Sequence, residues 1–196
     1  MKFISLIISL FFTVSVFAQG FLPNAKVVKV HGEVLANKKP LKSGTEIVKG
    51  MDIRIAGDRD YAIIKFQNGH MLKLTGANVK FDELTEKSSI VSLNNGQLHA
   101  LVNALNPGEK FVIKTLYANY SGNASKFGVT INQKRKRSYL YVIDGVAHIT
   151  KGKLSADVKK EEDIWIASET RALNAEPASS AMIRINQKAI DGMDKL

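Results

Sequence analysis

The strongest constraint on the fold is the segment Tyr61–Leu74, in which two apolar runs flank the pair Asn68-Gly69. Both residues of the pair tolerate a positive φ, which a tight connection between antiparallel strands needs. The flanking runs are rich in residues that favour strands. The segment therefore predicts a β-hairpin.

The register of this hairpin depends on the length of its loop, because a shift of one residue exchanges the two faces of a strand. A two-residue loop would pair Phe66 with Met71 and leave neither face purely apolar. A three-residue loop, with Gly69 in the αL position of a bulge, pairs Phe66 with His70 and separates the faces, so we expect this register and packing on one side. The apolar face would hold Ala62, Ile64, Phe66, Leu72 and Leu74, opposite Lys65 and Lys73.

Two further pairs of the same kind predict two more hairpins. Asn95-Gly96 lies within Ile90–Val102, and Asp144-Gly145 lies within Tyr139–Thr150. A two-residue turn at Asn95-Gly96 would place Val91, Leu93, Leu98 and Ala100 on one face of that hairpin. A two-residue turn at Asp144-Gly145 would do the same for Leu140, Val142, Ala147 and Ile149. The opposite face of the Tyr139–Thr150 hairpin would carry Tyr139, Tyr141 and His148, so its two strands are predicted to be central in the sheet and covered on both sides.

The remaining chain shows many short strand-like runs separated by turn residues. Such a pattern is typical of an all-β sandwich, barrel or stacked roll, and the absence of alternating helical segments disfavours a βαβ fold. The pattern changes after Pro177. Helical spacing there predicts one C-terminal helix, with Met182, Ile185, Ala189 and Met193 on one side.

The N-terminus has the features of a secretory signal peptide. Lys2 precedes the apolar run Phe3–Phe17, and small residues at Val16 and Ala18 predict cleavage after Ala18. The run is short for a membrane span, which needs about twenty residues. We therefore expect a signal peptide over residues 1–18, a β domain over 19–175 and a C-terminal helical region over 176–196. Retention of the first segment as an uncleaved anchor is the alternative.

Composition narrows the compartment and the chemistry. The chain has no cysteine, which excludes disulfides, thiolate metal sites and a cysteine nucleophile. An exported protein without cysteine fits a bacterial periplasm better than an animal extracellular space. Lysine and arginine total 28 against 18 acidic residues, and the net charge of +10 favours anionic partners. We expect a periplasmic or secreted protein.

Several short motifs follow one another in a fixed order. The series begins with a Val-x-Val-x-Gly-x-Val strand at 28–34. It continues with Gly50-Met51-Asp52-Ile53, with the hairpin at 61–74, and with Leu-x-x-Gly-x-Leu at 93–98. Phe127 follows Thr115 by twelve residues, and Val142, Gly145, Ala147 and Ile149 close the series. In order and spacing these motifs resemble the FecR-type domain, the periplasmic part of ferric-citrate-type sigma-factor regulators, over residues 27–171.

The resemblance implies a rolled or stacked all-β domain without a catalytic centre. In the regulators this domain senses a signalling domain of an outer-membrane transporter and passes the state to a cytoplasmic helix. The sequence departs from the family at Leu116, where proline is usual, at 123–125, where Arg-Gly-Thr is usual, and near 167–169. No cytoplasmic anti-sigma segment precedes the domain, so we expect a stand-alone exported version, a binding or scaffolding module of the bacterial cell envelope.

The candidate binding site is the densest run of charge, Lys134, Arg135, Lys136 and Arg137. A solvated hairpin loop accounts for such a run. The functional alternative is an anion-binding site for an acidic envelope protein, an anionic polymer or a membrane surface. No nucleic-acid module accompanies the run, so no nucleic acid is expected. The flanking tyrosines could add to a recognition surface or serve as ordinary strand residues; they are Tyr117, Tyr120, Tyr139 and Tyr141.

No catalytic residue, metal site or cofactor is predicted. The sequence lacks the local motifs of serine hydrolases, zinc proteases and phosphate-binding loops. The four histidines do not form the closely spaced pairs typical of metal sites; they are His31, His70, His99 and His148. Two other hypotheses stay open: a tethered periplasmic signalling component with an uncleaved N-terminus, and a secreted enzyme whose site is dispersed along the chain.

Overall fold

The structure is a computed structural model that describes residues 25–191, 193 and 196, so the predicted signal peptide and its cleavage site after Ala18 lie outside the described residues. The described residues form fourteen strands and one helix, which confirms an all-β fold with one C-terminal helix. The elements are β1 (Ala25–His31), β2 (Val34–Ala36), β3 (Lys39–Pro40), β4 (Glu46–Ile47), β5 (Asp52–Ile55), β6 (Tyr61–Phe66), β7 (Met71–Leu84), β8 (Ser88–Val102), β9 (Lys110–Lys114), β10 (Asn119–Asn132), β11 (Arg137–Lys151), β12 (Leu154–Lys159), β13 (Glu162–Ala167), β14 (Glu176–Pro177) and α1 (Ser180–Ile190).

The described strands form one sheet that bends on itself into two layers around a core. The first layer has the strand order β4, β1, β6, β7, β8, β10, β11, β13, β14. The second layer has the order β3, β2, β5, β7, β8, β9, β10, β11, β12. Four strands of 14 or 15 residues, β7, β8, β10 and β11, contribute one half to each layer and are longer than the short runs predicted from the sequence.

The first predicted hairpin is confirmed in its register. Gly69 has a φ of +83°. Its amide donates to the Phe66 carbonyl at 2.9 Å, and the Phe66 amide donates to the His70 carbonyl at 2.8 Å. The predicted apolar face lies in the core between the layers. Packing on one side only is wrong, because Ile63 and Met71 on the opposite face are buried in a second cluster under α1.

The second predicted hairpin is wrong, because Gly96 lies inside the continuous strand β8. Its φ is +84°, and the two halves of β8 pair with the two halves of β7. A side chain on Gly96 would overlap the backbone of Gly76, so a glycine is needed for the two strands to approach at the bend. A positive φ suits a β-bulge as well as a turn, and pairing with the distant β7 decides between them.

The third predicted hairpin is wrong for the same reason. Gly145, with a φ of +75°, bends β11 opposite a bulge of β10 between Asn123 and Lys126. The predicted apolar face of this segment is nevertheless in the core. Coverage of the other face is confirmed for Tyr139 and Tyr141, which lie in the cluster under α1, but not for His148, which is exposed.

Helix α1 is confirmed, and two of the four predicted residues, Met182 and Met193, lie in the cluster on which it packs. The Ser179 hydroxyl accepts a hydrogen bond from the Met182 amide at 3.3 Å and caps the helix. Asn186 and Ile190 are the buried helix residues, whereas Ile185 is 62% exposed. The apolar spacing missed the centre of the packing side because the residue there, Asn186, is polar. No helix in the described part of the chain is long and apolar enough to span a membrane.

Candidate functional site

The predicted basic residues lie at the hairpin turn between β10 and β11, as the sequence indicates. The Arg135 amide donates to Asn132 Oδ1 at 2.9 Å, and the Lys136 amide donates to the Gln133 carbonyl at 3.2 Å. These bonds fix the turn locally. Lys134, Arg135 and Lys136 are exposed, and none of the ion pairs found among the described residues involves them. We call these three residues the basic turn.

Arg137 differs from the basic turn because it begins β11 and is only partly exposed. Its guanidinium carbon lies 3.9 Å from the centroid of the Trp165 ring. The Trp165 and Tyr139 ring centroids are 4.4 Å apart, and these two residues pair across β11 and β13. We call Arg137, Trp165 and Tyr139 the cation–aromatic stack. Since Trp165 remains 44% exposed, the stack presents an aromatic surface beside the basic turn.

A carboxylate holds the inner member of the stack. The Tyr139 hydroxyl donates to Asp163 Oδ2 at 2.6 Å. Burial, together with this hydrogen bond and the negative charge of Asp163, raises the pKa of Tyr139 far above its usual range. The hydroxyl therefore stays protonated and keeps its donor role at any physiological pH. The Asp163 carboxylate thus fixes the orientation of the Tyr139 ring in the stack.

The stretch between Thr115 and Phe127, which carries the departures from the family pattern, forms local structure. The Thr115 hydroxyl donates to the Ala118 carbonyl at 2.8 Å and closes a turn. Asn123 Oδ1 accepts from the Leu105 amide at 2.8 Å within the β10 bulge. Leu116, at the position of the family proline, is 88% exposed. Thr115 thus stabilises the turn, and Asn123 stabilises the bulge of β10.

The four flanking tyrosines do not form an exposed surface. Tyr117 and Tyr120 belong to the core between the layers, and Tyr139 and Tyr141 belong to the cluster under α1. The exposed aromatic residue of this region is Trp165, which sequence reasoning did not connect with the basic run. Arg137, Tyr139 and Tyr141 alternate along one strand, which is a local signal for a shared face. The pairing of Tyr139 with Trp165 is non-local and has no such signal.

The histidines lie in separate surroundings. His70 is buried and its Nδ1 accepts from the Asn103 amide at 3.1 Å. His148 is exposed, and its Nδ1 lies 2.7 Å from Asp157 Oδ1. His31 stacks on Tyr61. Burial lowers the pKa of His99 to about 4, with a further contribution from the Lys73 charge. Within the described ranges no group of three or more histidine, aspartate or glutamate side chains could hold a metal ion.

A cleft of about 520 Å³ lies between β9, β10 and β11 on the second layer. It contains Glu109 and His148, the residue types of acid–base chemistry. Glu109 Oε2 accepts from the Asn106 amide at 2.7 Å and from its side chain at 3.0 Å, while His148 is engaged by Asp157. Glu109 is thus engaged by Asn106, and His148 is engaged by Asp157.

Comparison with known proteins gives the fold. No family model matches the sequence, and none of the curated proteins is significantly similar to it. Two crystal structures of a proposed anti-sigma factor from Parabacteroides distasonis are similar, with TM-scores of 0.58 and 0.56 and 15% sequence identity in each case. The matches cover 68% and 66% of this chain and 62% of each of the other chains. The shared fold agrees at a coarse level with the FecR-type resemblance of the sequence.

Proposed function

We propose that this protein is an exported, non-enzymatic FecR-like binding module in a regulatory or signalling system of the bacterial cell envelope. The fold shared with proposed anti-sigma factors supports a regulatory role. The cation–aromatic stack beside the basic turn is the observation that carries the binding role. An anionic partner, either an acidic envelope protein or an anionic polymer, fits this surface.

The two parts of the surface would contribute differently to binding. Tryptophan, tyrosine and arginine are enriched among the residues that dominate binding energies, and the stack pre-orders all three types. The exposed cations of the basic turn would mainly attract the partner and raise the association rate, because exposed charges remain hydrated and are screened by salt. Loss of the stack should therefore weaken the bound complex, whereas loss of the turn should reduce salt-sensitive capture.

A matched pair of variants tests the turn. One variant replaces Lys134, Arg135 and Lys136 with serine, and the control replaces three exposed lysines elsewhere, Lys39, Lys42 and Lys153. Both lose the same formal charge. We expect the turn variant to elute from an anionic column, and to leave the envelope fraction, at clearly lower salt than the control. Equal elution of the two variants would identify the basic turn as a solvated loop.

A second pair tests the stack. Trp165→Ala should reduce recovery of the protein with its envelope partner about tenfold or more, because it removes a large exposed contact area. Leu116→Ala removes another exposed apolar side chain that is not part of the stack and should leave recovery unchanged. Equal recovery with both variants would contradict a binding role of the stack.

The alternative function is a periplasmic signalling component that stays tethered by its N-terminus. The apolar run Phe3–Phe17 favours it, since the same segment could act as an anchor. Mass spectrometry of the protein from cells distinguishes the two proposals. A chain that begins at Gln19 supports the exported module, and a chain that retains Met1 supports the tethered component.

A further inference from the structure

Helix α1 covers an apolar surface on the outside of the first layer. Ile190 and Met193 lie against Ile63, Met71, Tyr139, Tyr141 and Ile143 in a cluster separate from the main core. We call these five sheet residues the docking face. Met182 is partly buried against the same cluster. The face would be open if the helix left it.

The contact between α1 and the docking face leaves buried polar atoms unpaired. Asn186 Nδ2 on the helix, Tyr141 Oη and His99 Nδ1 are buried without hydrogen-bond partners. All three residues are more than nine-tenths buried, and the His99 and Tyr141 ring centroids are 6.0 Å apart. Water would satisfy these atoms if the helix moved away, so each opposes docking. The helix is therefore held less firmly than its apolar contacts suggest.

The two lysines beside the docking face contact main-chain oxygens of the C-terminal segment and no side-chain carboxylate of α1. Lys73 Nζ donates to the Ala189 carbonyl at 3.0 Å, and Lys65 Nζ donates to the Leu196 carbonyl at 3.3 Å. Lys73 thus lies at the C-terminal end of the helix, where a cation is favourable, and Lys65 lies beside Leu196, beyond the helix. α1 brings Lys188 in its last turn, and Asp191 is engaged with Gln187 at 2.7 Å. No salt bridge between α1 and these lysines occurs among the described residues.

We propose that the docking face is a binding site for an acidic amphipathic helix of a partner protein and that α1 is a displaceable occupant which blocks it. A partner helix with apolar residues along one side and carboxylates in its last turn would keep the apolar contacts and pair with Lys65 and Lys73. Ligand binding then competes with α1, and the apparent affinity depends on how often α1 is undocked. This site is separate from the basic turn, with Tyr139 as the residue that it shares with the stack.

The test uses full-length exported protein and a synthetic peptide. The probe peptide has the sequence of residues 178–191 with Arg184→Glu and Lys188→Glu, and the control peptide has the natural sequence. Asn186→Leu in the protein removes an unpaired amide at similar volume and should hold α1 more firmly. Ile190→Ser removes a buried contact of α1 and should release it. We expect probe affinity to rise in the order Asn186→Leu, wild type, Ile190→Ser, with about a tenfold span.

Two further measurements separate this proposal from misfolding and from nonspecific attraction. Circular dichroism should show an intact sheet in all variants, because the main core contains no α1 residue. Lys73→Gln should weaken probe binding, whereas Lys153→Gln, which removes an exposed lysine elsewhere, should not. The proposal is overturned if the probe binds none of the proteins, binds all three helix variants equally, or binds no better than the natural peptide.

Discussion

Two buried tyrosines, one in the core between the layers and one under α1, show how the inside and outside of this sheet differ. Tyr120 lies in the main core, and its hydroxyl is 2.5 Å from Ser138 Oγ. Tyr141 lies under α1, and its hydroxyl has no partner. Both are almost fully buried, and burial raises the pKa of both, to about 12 for Tyr120. Similar burial thus accompanies a paired hydroxyl in Tyr120 and an unpaired hydroxyl in Tyr141.

The difference indicates that apolar burial alone does not define a permanent interface. The inner core is formed by strands that bend together and share backbone hydrogen bonds across both layers. The outer contact is made by one helix and the residue Met193 that follows it, with Ile190 and Met193 as buried apolar side chains and Asn186 as an unpaired asparagine. We therefore expect the inner core to set global stability and the outer contact to open locally.

The largest expected effect is at the bend that creates the inner core. Gly96→Ala should destabilise the protein by about 4 kcal/mol or more, because it combines a positive φ with overlap on the Gly76 backbone. Gly50→Ala is the matched control, with the same φ of +84° but open space around it, and should cost only about 1 kcal/mol. Denaturant unfolding measures both. Equal losses would show that the close approach at the bend is unimportant.

The next effect compares side chains on the two sides. Phe127→Ala in the inner core should cost about 3–5 kcal/mol of global unfolding free energy, since it removes a fully buried ring. Ile190→Ala on the helix should cost well under half of that, because the helix can leave while the sheet stays folded. Denaturant unfolding followed through Trp165 fluorescence would contradict the comparison if both substitutions lowered the midpoint equally.

A smaller effect is a pH dependence of the folding stability that arises from His99, on the outer side of the sheet. The pKa of His99 is lowered from 6.5 to about 4 in the folded protein, so the unfolded chain binds the proton more readily between these values. Stability is therefore lost as the pH falls through this window, by about 2 kcal/mol from pH 7 to pH 5 for this residue. His99→Leu should remove that part of the pH dependence. An unchanged pH dependence in the variant would show that His99 is not buried in the neutral form.

The smallest effect distinguishes the two tyrosine hydroxyls. Tyr120→Phe should cost about 1 kcal/mol, because it leaves the buried Ser138 hydroxyl without its tyrosine partner. Tyr141→Phe should be neutral or stabilising, since it removes a buried hydroxyl that has no partner. Thermal unfolding of the two variants measures the sign. A loss of stability in Tyr141→Phe would mean that its hydroxyl is satisfied in solution.

The sequence predicted features that depend on nearby residues. The register of the first hairpin follows from alternation and from one glycine, and both lie within a few residues of the turn. The positive φ values at Gly96 and Gly145 are also local, but whether each forms a turn or a bend depends on partners in β7 and β10. Local chemistry cannot distinguish these outcomes, so those hairpins were predicted wrongly.

The candidate surfaces show the same limit. The basic turn was found because its residues are consecutive, whereas Trp165 meets Arg137 only through the pairing of β11 with β13. The packing side of α1 was predicted only in part, through Met182 and Met193, because Asn186, a polar residue, lies at its centre. Apolar periodicity finds well-matched helix faces, and it is a poor guide to a helix that is held by an imperfect contact.

Native-state hydrogen exchange of the full-length protein tests most directly whether the inner core and the outer contact are separate units. The central claim is that α1 opens while the sheet stays folded. We expect the amides of α1 to exchange at least a hundredfold faster than those of β8 and β10, as expected for local opening. We also expect addition of the acidic probe peptide to accelerate exchange in α1 alone. Equal protection of helix and core strands, unchanged by the peptide, would contradict the claim.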